Sequence, residues 1–143
     1  MDFQDVIKQL KEDCFSVGLL SSAGDFYSET GHTIAPLVRL CRQYPQEMKG
    51  GCVADKIIGR GAASLLIWSG VQEVFALFIS KPAKAMLEEH GIRLSYGELA
   101  DQIYNNRGND LCPLEKHVLQ LSDIDEMAKA VFEFSDALPE HLK

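Results

Sequence analysis

Val53-Ala54-Asp55-Lys56-Ile57-Ile58-Gly59-Arg60-Gly61-Ala62-Ala63-Ser64-Leu65-Leu66-Ile67-Trp68-Ser69 is dominated by apolar residues. Its apolar residues cover too much of a helical circumference for a surface helix, so the pattern predicts one central, buried helix over 53–69. Gly59 and Gly61 each lower helix propensity by about 1 kcal/mol relative to Ala, which makes sense where a Cβ-free surface lets another backbone come close. On this reading Ala54-Asp55-Lys56 opens the helix and Gly70 ends it.

Working outward, Val71 to Ile79 reads as a strand, and Ser80-Lys81-Pro82 as the cap and first turn of a helix that runs to His90. Ile92 to Tyr96 alternates as a strand, Leu99 to Tyr104 is ambiguous, and Asn105 to Asp110 is a loop by composition. Upstream, Phe3, Val6, Ile7 and Leu10 mark an amphipathic first helix. Cys14 to Leu20 reads as a buried strand, paired through the Ser21–Asp25 turn with Phe26-Tyr27-Ser28. Ile34 to Arg42 is a short helix with Pro36 in its first turn, and Lys49-Gly50-Gly51 is a joint. Cys112-Pro113-Leu114-Glu115 opens a helix to about Leu121, and Ser122-Asp123 caps the last one. Strands alternating with helices predict a three-layer α/β/α arrangement with a mixed four- to five-stranded sheet, in a single domain spanning residues 1–143. Phe15, Phe75, Phe78, Phe132 and Trp68 all fall at periodic apolar positions and read as core.

Length supports this, because surface scaling gives a chain of this mass about 7,300 Å² of folded surface, roughly 68% of the unfolded surface being buried. Fourteen Lys and Arg against 21 Asp and Glu leave a net charge of −7 with no dense basic window, which excludes nucleic acid as a bulk partner. The Ala62–Trp68 apolar run is far short of the roughly 20 residues of a membrane span. An acidic N-terminus lacks the positive region of a signal peptide, so a cytoplasmic location is expected. Cys14, Cys41, Cys52 and Cys112 form no C-x-x-C pair, and reduced thiols are expected. His32, His90, His117 and His141 share no ligand spacing with the cysteines, so neither a metal nor another cofactor is expected.

Two places carry candidate chemistry. At the start of the 53–69 helix, Asp55 orients or deprotonates a ligand while Lys56 or Arg60 meets an anion; a cap beside a solvated lysine is the plainer alternative. In the second, Cys112 takes the N-cap position and Glu115 reaches back to the cap N–H, a variant of the capping box. A thiol at a helix start is also where the dipole favours thiolate, and Arg107 upstream can hold a carboxylate or phosphate bidentately. Gly59-Arg60-Gly61 is not a phosphate fingerprint if it lies within a helix.

The order of elements, with Ala54-Asp55-Lys56, Gly59 to Ala63, Asn106-Arg107 and Cys112-Pro113-x-Glu115, resembles the cytidine-deaminase-like superfamily. The likeness is to a small branch of uncharacterised prokaryotic proteins, and covers about residues 14 to 121. In catalytic deaminases the buried helix opens with H-x-E or C-x-E and the next one with P-C-x-x-C, which together hold a zinc ion. Here the second motif falls on Pro82, Ala83 and Met86, and the first on Val53, Ala54 and Asp55. The resemblance therefore implies the fold and the position of a pocket, without zinc-hydroxide deamination.

Two functions follow from this. One is a binding module that keeps the pocket for a small anionic or nucleotide-like ligand, with Arg60, Asn106 and Arg107 as binding residues. The other is a metal-independent enzyme using Asp55, Lys56, Cys112 and Glu115. A homo-oligomer is compatible with either.

Overall fold

The structure is a computed structural model covering residues 1–143. Its order is α1 (Phe3–Lys11), β1 (Val17–Leu20), β2 (Phe26–Glu29), α2 (Ala35–Gln43), α3 (Pro45–Met48), β3 (Cys52–Ile58), α4 (Arg60–Ser69), β4 (Glu73–Ser80), α5 (Lys81–Glu89), β5 (Arg93–Ala100), α6 (Pro113–Val118) and α7 (Ile124–Asp136), followed by a 3-10 turn (Glu140–Leu142). The five strands form one mixed sheet in the order β2-β1-β3-β4-β5. β1 pairs antiparallel with both neighbours, whereas β3, β4 and β5 run parallel through the α4 and α5 crossovers. The accessible surface is 7487 Å², close to what mass alone requires.

The sheet has helices on both faces, as expected. Val6, Ile7 and Leu10 of α1 pack with Phe15, Leu20, Ala54 and Phe75 on one side. A larger cluster of 27 residues, drawn mainly from β1, α2, β3, α4, β4 and α7, fills the other. Phe15 and Phe75 are core as predicted, but Phe78 is 37% exposed and Trp68 47%, so these two are corrected to the surface. Strand β1 begins at Val17, leaving Cys14 exposed before it rather than buried within it.

The decisive correction concerns 53–69. There is no single helix: Cys52–Ile58 is a strand and only Arg60–Ser69 is helical, with Gly59 the N-cap at φ −105° and ψ −166°. A parallel strand covered on both faces reads as a continuous apolar run, which has no period to separate it from a buried helix. The β-branched Val53, Ile57 and Ile58 belong to the strand, and the small Gly61, Ala62 and Ala63 to the first turn of α4. Gly70 closes α4 in the left-handed region at φ 81°, its N–H donating to the Leu66 and Ile67 carbonyls.

β3 is also irregular. Asp55 pairs with Ala76 and Ile57 with Phe78, but the ladder skips Lys56 opposite Leu77, and β4–β5 skips Leu77 opposite Gly97. The facing changes across this break. Ala54 packs with α1, while Ile58, which strict alternation would put on the same face, lies in the larger cluster. Phe75 and Ile79 on β4 divide in the same way.

Candidate functional site

Asp55 lies at the ladder break and takes part in making it. Its Oδ1 accepts the Lys56 backbone N–H at 2.8 Å, a donor that a regular strand would commit to its neighbour. Asp55 and Lys56 are therefore strand residues, and the expectation that they open a helix is corrected. Burial pushes the Asp55 carboxyl up to about 7, against the opposing pull of the Lys56 and Ile57 backbone N–H groups and the Lys56 ammonium. Lys56 Nζ forms an ion pair with Asp13, which sits just before β1 at φ 63°.

The N-terminus of α4 is occupied from within the chain. Glu115, 2% exposed, accepts the Arg60 N–H on Oε1 at 2.7 Å and the Gly61 N–H on Oε2 at 3.1 Å. Its expected reach back to the Cys112 N–H does not occur, since that N–H donates to the Ile103 carbonyl at 2.9 Å. A Cβ on Gly59 would stand 2.6 Å from the Glu115 carboxyl carbon, and one on Gly61 the same distance from Leu114 Cδ2. The two glycines thus admit side chains of α6, where a neighbouring backbone was expected. Gly59-Arg60-Gly61 follows a strand directly, correcting the mid-helix placement, and the anion it cradles is the Glu115 carboxylate. Arg60 turns to the same partner at 3.6 Å and donates to Gln102 Oε1 at 2.9 Å. It does not line the neighbouring cavity.

That cavity, of about 920 Å³, brings Asp55, Lys56, Asn106, Arg107, Cys112 and Glu115 together. Gly59, Ile57 and Leu114 share its wall, joined by Ser16, His32, Thr33 and His141. The sequence reading missed these last four, because single polar residues in separate loops share no spacing that would group them. Ser16 is spent locally, donating to the Gly31 carbonyl at 3.1 Å, while Thr33 Oγ1 donates to the Leu142 carbonyl at 2.8 Å. Of the cavity's Lys and Arg residues, Lys56 is paired with Asp13, and Arg107 has no carboxylate within ion-pair distance. Arg107 sits at the tip of a small excursion closed by the Tyr104–Leu111 bridge and by the Asn105 N–H donating to the Asp110 carbonyl at 2.9 Å. Cys112 is half-exposed at the start of α6 and makes no capping bond.

At the start of α5, Ser80 caps the Ala83 N–H at 3.3 Å, and the positions that resemble P-C-x-x-C carry a buried Ala83 and a thioether, Met86. The start of α4 offers Gly59, Arg60 and Gly61. Neither helix start supplies a His or Cys side chain, and no three His, Cys, Asp or Glu side chains converge on a metal-binding geometry. No helix is long and apolar enough to cross a membrane.

A DUF1893 family protein from Thermotoga maritima shares this fold, with 27% identity over 92% of this chain and 88% of that one and a TM-score of 0.82. Two further structures align in part. A diaminohydroxyphosphoribosylaminopyrimidine deaminase/5-amino-6-(5-phosphoribosylamino)uracil reductase from Thermotoga maritima does so at 15% identity, 57% and 28% coverage and a TM-score of 0.43. RibD from Acinetobacter baumannii does so at 16% identity, 66% and 33% coverage and a TM-score of 0.44. No curated protein matches significantly. Residues 5–135 match the domain of unknown function DUF1893, and the chain belongs to that family.

Proposed function

We propose that the chain binds a small anionic, nucleotide-like molecule in the cavity beside β3 and α6, and does not carry out zinc-dependent deamination. The observation that carries this reading is the shared cavity itself. Six of the seven residues nominated from sequence line it, and its volume of about 920 Å³ lies within the range of small-molecule sites. Arg107, free of any internal carboxylate, supplies a planar fork for a phosphate or carboxylate. Asp55 and Asn106 offer hydrogen-bonding groups for the uncharged part of the ligand. Glu115 plays a different part, since by occupying the donors of α4 it leaves the anion to Arg107 and the neighbouring histidines.

The test is a thermal-shift titration with the four ribonucleoside 5′-monophosphates and with inorganic phosphate, on the parent and on Arg107→Ala. A ligand present at 100 times its Kd stabilises the folded state by about 2.7 kcal/mol. A shift with a nucleotide that is lost in Arg107→Ala supports the proposal, whereas no shift at millimolar concentrations overturns it. Purification without chelators followed by metal analysis tests the second clause, and one equivalent of tightly held zinc overturns it.

A second reading, a metal-independent enzyme, draws on one observation. Asp55, with its carboxyl pushed up to about 7, shares the cavity with the Cys112 thiol, which is the combination of a base near neutrality and a nucleophile. Against it, Asp55 Oδ1 is engaged by the Lys56 N–H and Lys56 Nζ by Asp13, so neither activates Cys112 as the structure stands.

A further inference from the structure

We infer that the segment Leu138–Lys143 is a strap whose release governs entry to the cavity. The inference rests on reading the cavity as a binding site and adds what regulates it. Leu138, His141 and Leu142 form part of the cavity wall, yet no residue of the Glu140–Leu142 turn is buried. The turn's own N–H groups are used internally, Leu142 donating to Pro139 at 3.0 Å and Lys143 to Glu140 at 3.1 Å.

Hydrogen bonds to one loop and one arginine fasten the strap. Thr33 Oγ1 donates to the Leu142 carbonyl at 2.8 Å, the His32 N–H to the Lys143 oxygen at 3.2 Å, and Arg39 Nη1 to the same oxygen at 3.3 Å. The loop is shaped for this purpose. A Cβ on Gly31 would run into the Lys143 backbone oxygen, and Thr33 is held at φ 61°, a conformation that a β-branched residue adopts only under constraint. Arg39 is itself positioned by Glu29 at 2.6 Å and by the Thr30 carbonyl at 2.9 Å. A segment held by a few hydrogen bonds, with almost no apolar burial, is among the first parts of a fold to open.

Gly31→Ala and Arg39→Met in the full chain each attack the fastening, the second without altering a cavity residue. Amide exchange at His32, whose N–H donates to the Lys143 oxygen, reads the strap, and the alkylation rate of Cys112 by iodoacetamide reads cavity access. Cys14, exposed, serves as the reference, and Cys41, buried, reports global unfolding. Each variant is expected to quicken strap exchange by about fivefold, the worth of one lost hydrogen bond. Cys112 alkylation should rise with it while Cys14 and Cys41 keep their parent rates. Faster strap exchange with an unchanged Cys112 rate overturns the inference, as does unchanged exchange in both variants. Both rates are read on the protein without added ligand, so they are independent of whether the nucleotide titration succeeds.

Discussion

Glu115 Oε1 accepts the Arg60 backbone N–H at 2.7 Å, so a side chain on α6 caps a helix that begins 55 residues earlier. The contact ties α6 to the start of α4 and stands where a helix dipole attracts an anion. Removing the carboxylate leaves two buried N–H donors and the Arg60 guanidinium without it. Glu115→Ala is therefore expected to destabilise the fold by about 3 kcal/mol, and Glu115→Gln by less, since its amide oxygen still accepts one bond. Urea denaturation measures both. A Glu115→Ala variant as stable as the parent shows that the cap is dispensable.

The glycines under this contact lead to a steric prediction. At Gly61, Leu fits helix propensity better but collides with the buried Leu114, so Gly61→Leu is expected to lose about 1–3 kcal/mol. Gly59→Ala meets a carboxylate pinned by two hydrogen bonds and should lose at least as much. Melting temperatures at or above the parent value contradict the packing described.

The pH dependence of stability should carry the mark of Asp55. Its folded carboxyl titrates near 7, well above the ordinary aspartate value, so the folded state holds the proton more tightly than the unfolded chain. Asp55 thus contributes stability that is complete below about pH 4 and is lost as pH rises through about 7. The difference between parent and Asp55→Asn isolates this from all other groups. At pH 8 the variant should gain on the parent by on the order of 4 kcal/mol relative to pH 4. A difference that is flat with pH, or opposite in sign, shows that the Asp55 carboxyl is not raised in the folded protein.

Thiol reactivity separates the cysteines by position. Cys41 is buried beside Ser69 Oγ at 3.3 Å, and burial pushes its thiol up to about 11, so it should be the slowest to alkylate at pH 7. Cys14 is exposed and sets the ordinary rate. The enzyme reading requires half-exposed Cys112 to outpace Cys14, and peptide mapping after iodoacetamide treatment shows which of them leads. A Cys112 slower than Cys14 leaves that reading without its nucleophile.

The class of fold and the boundaries of several helices are legible in local sequence patterns. Period places α1, and period with Ser80 or Asp123 as capping residue places α5 and α7, because such features announce a helix locally. Six of the cavity residues were also nameable, since unusual polar residues beside glycine and proline stand out in any chain. Tertiary structure alone decided that 52–58 is a strand, because a segment buried on both faces has no exposed side from which a period can be read. It alone decided that Glu115 caps α4 rather than its own helix, and that the 139–143 segment and the Gly31–Thr33 loop complete the cavity wall. Those contacts join residues far apart in the chain, and such pairings depend on how the layers pack rather than on any pattern within one stretch of sequence.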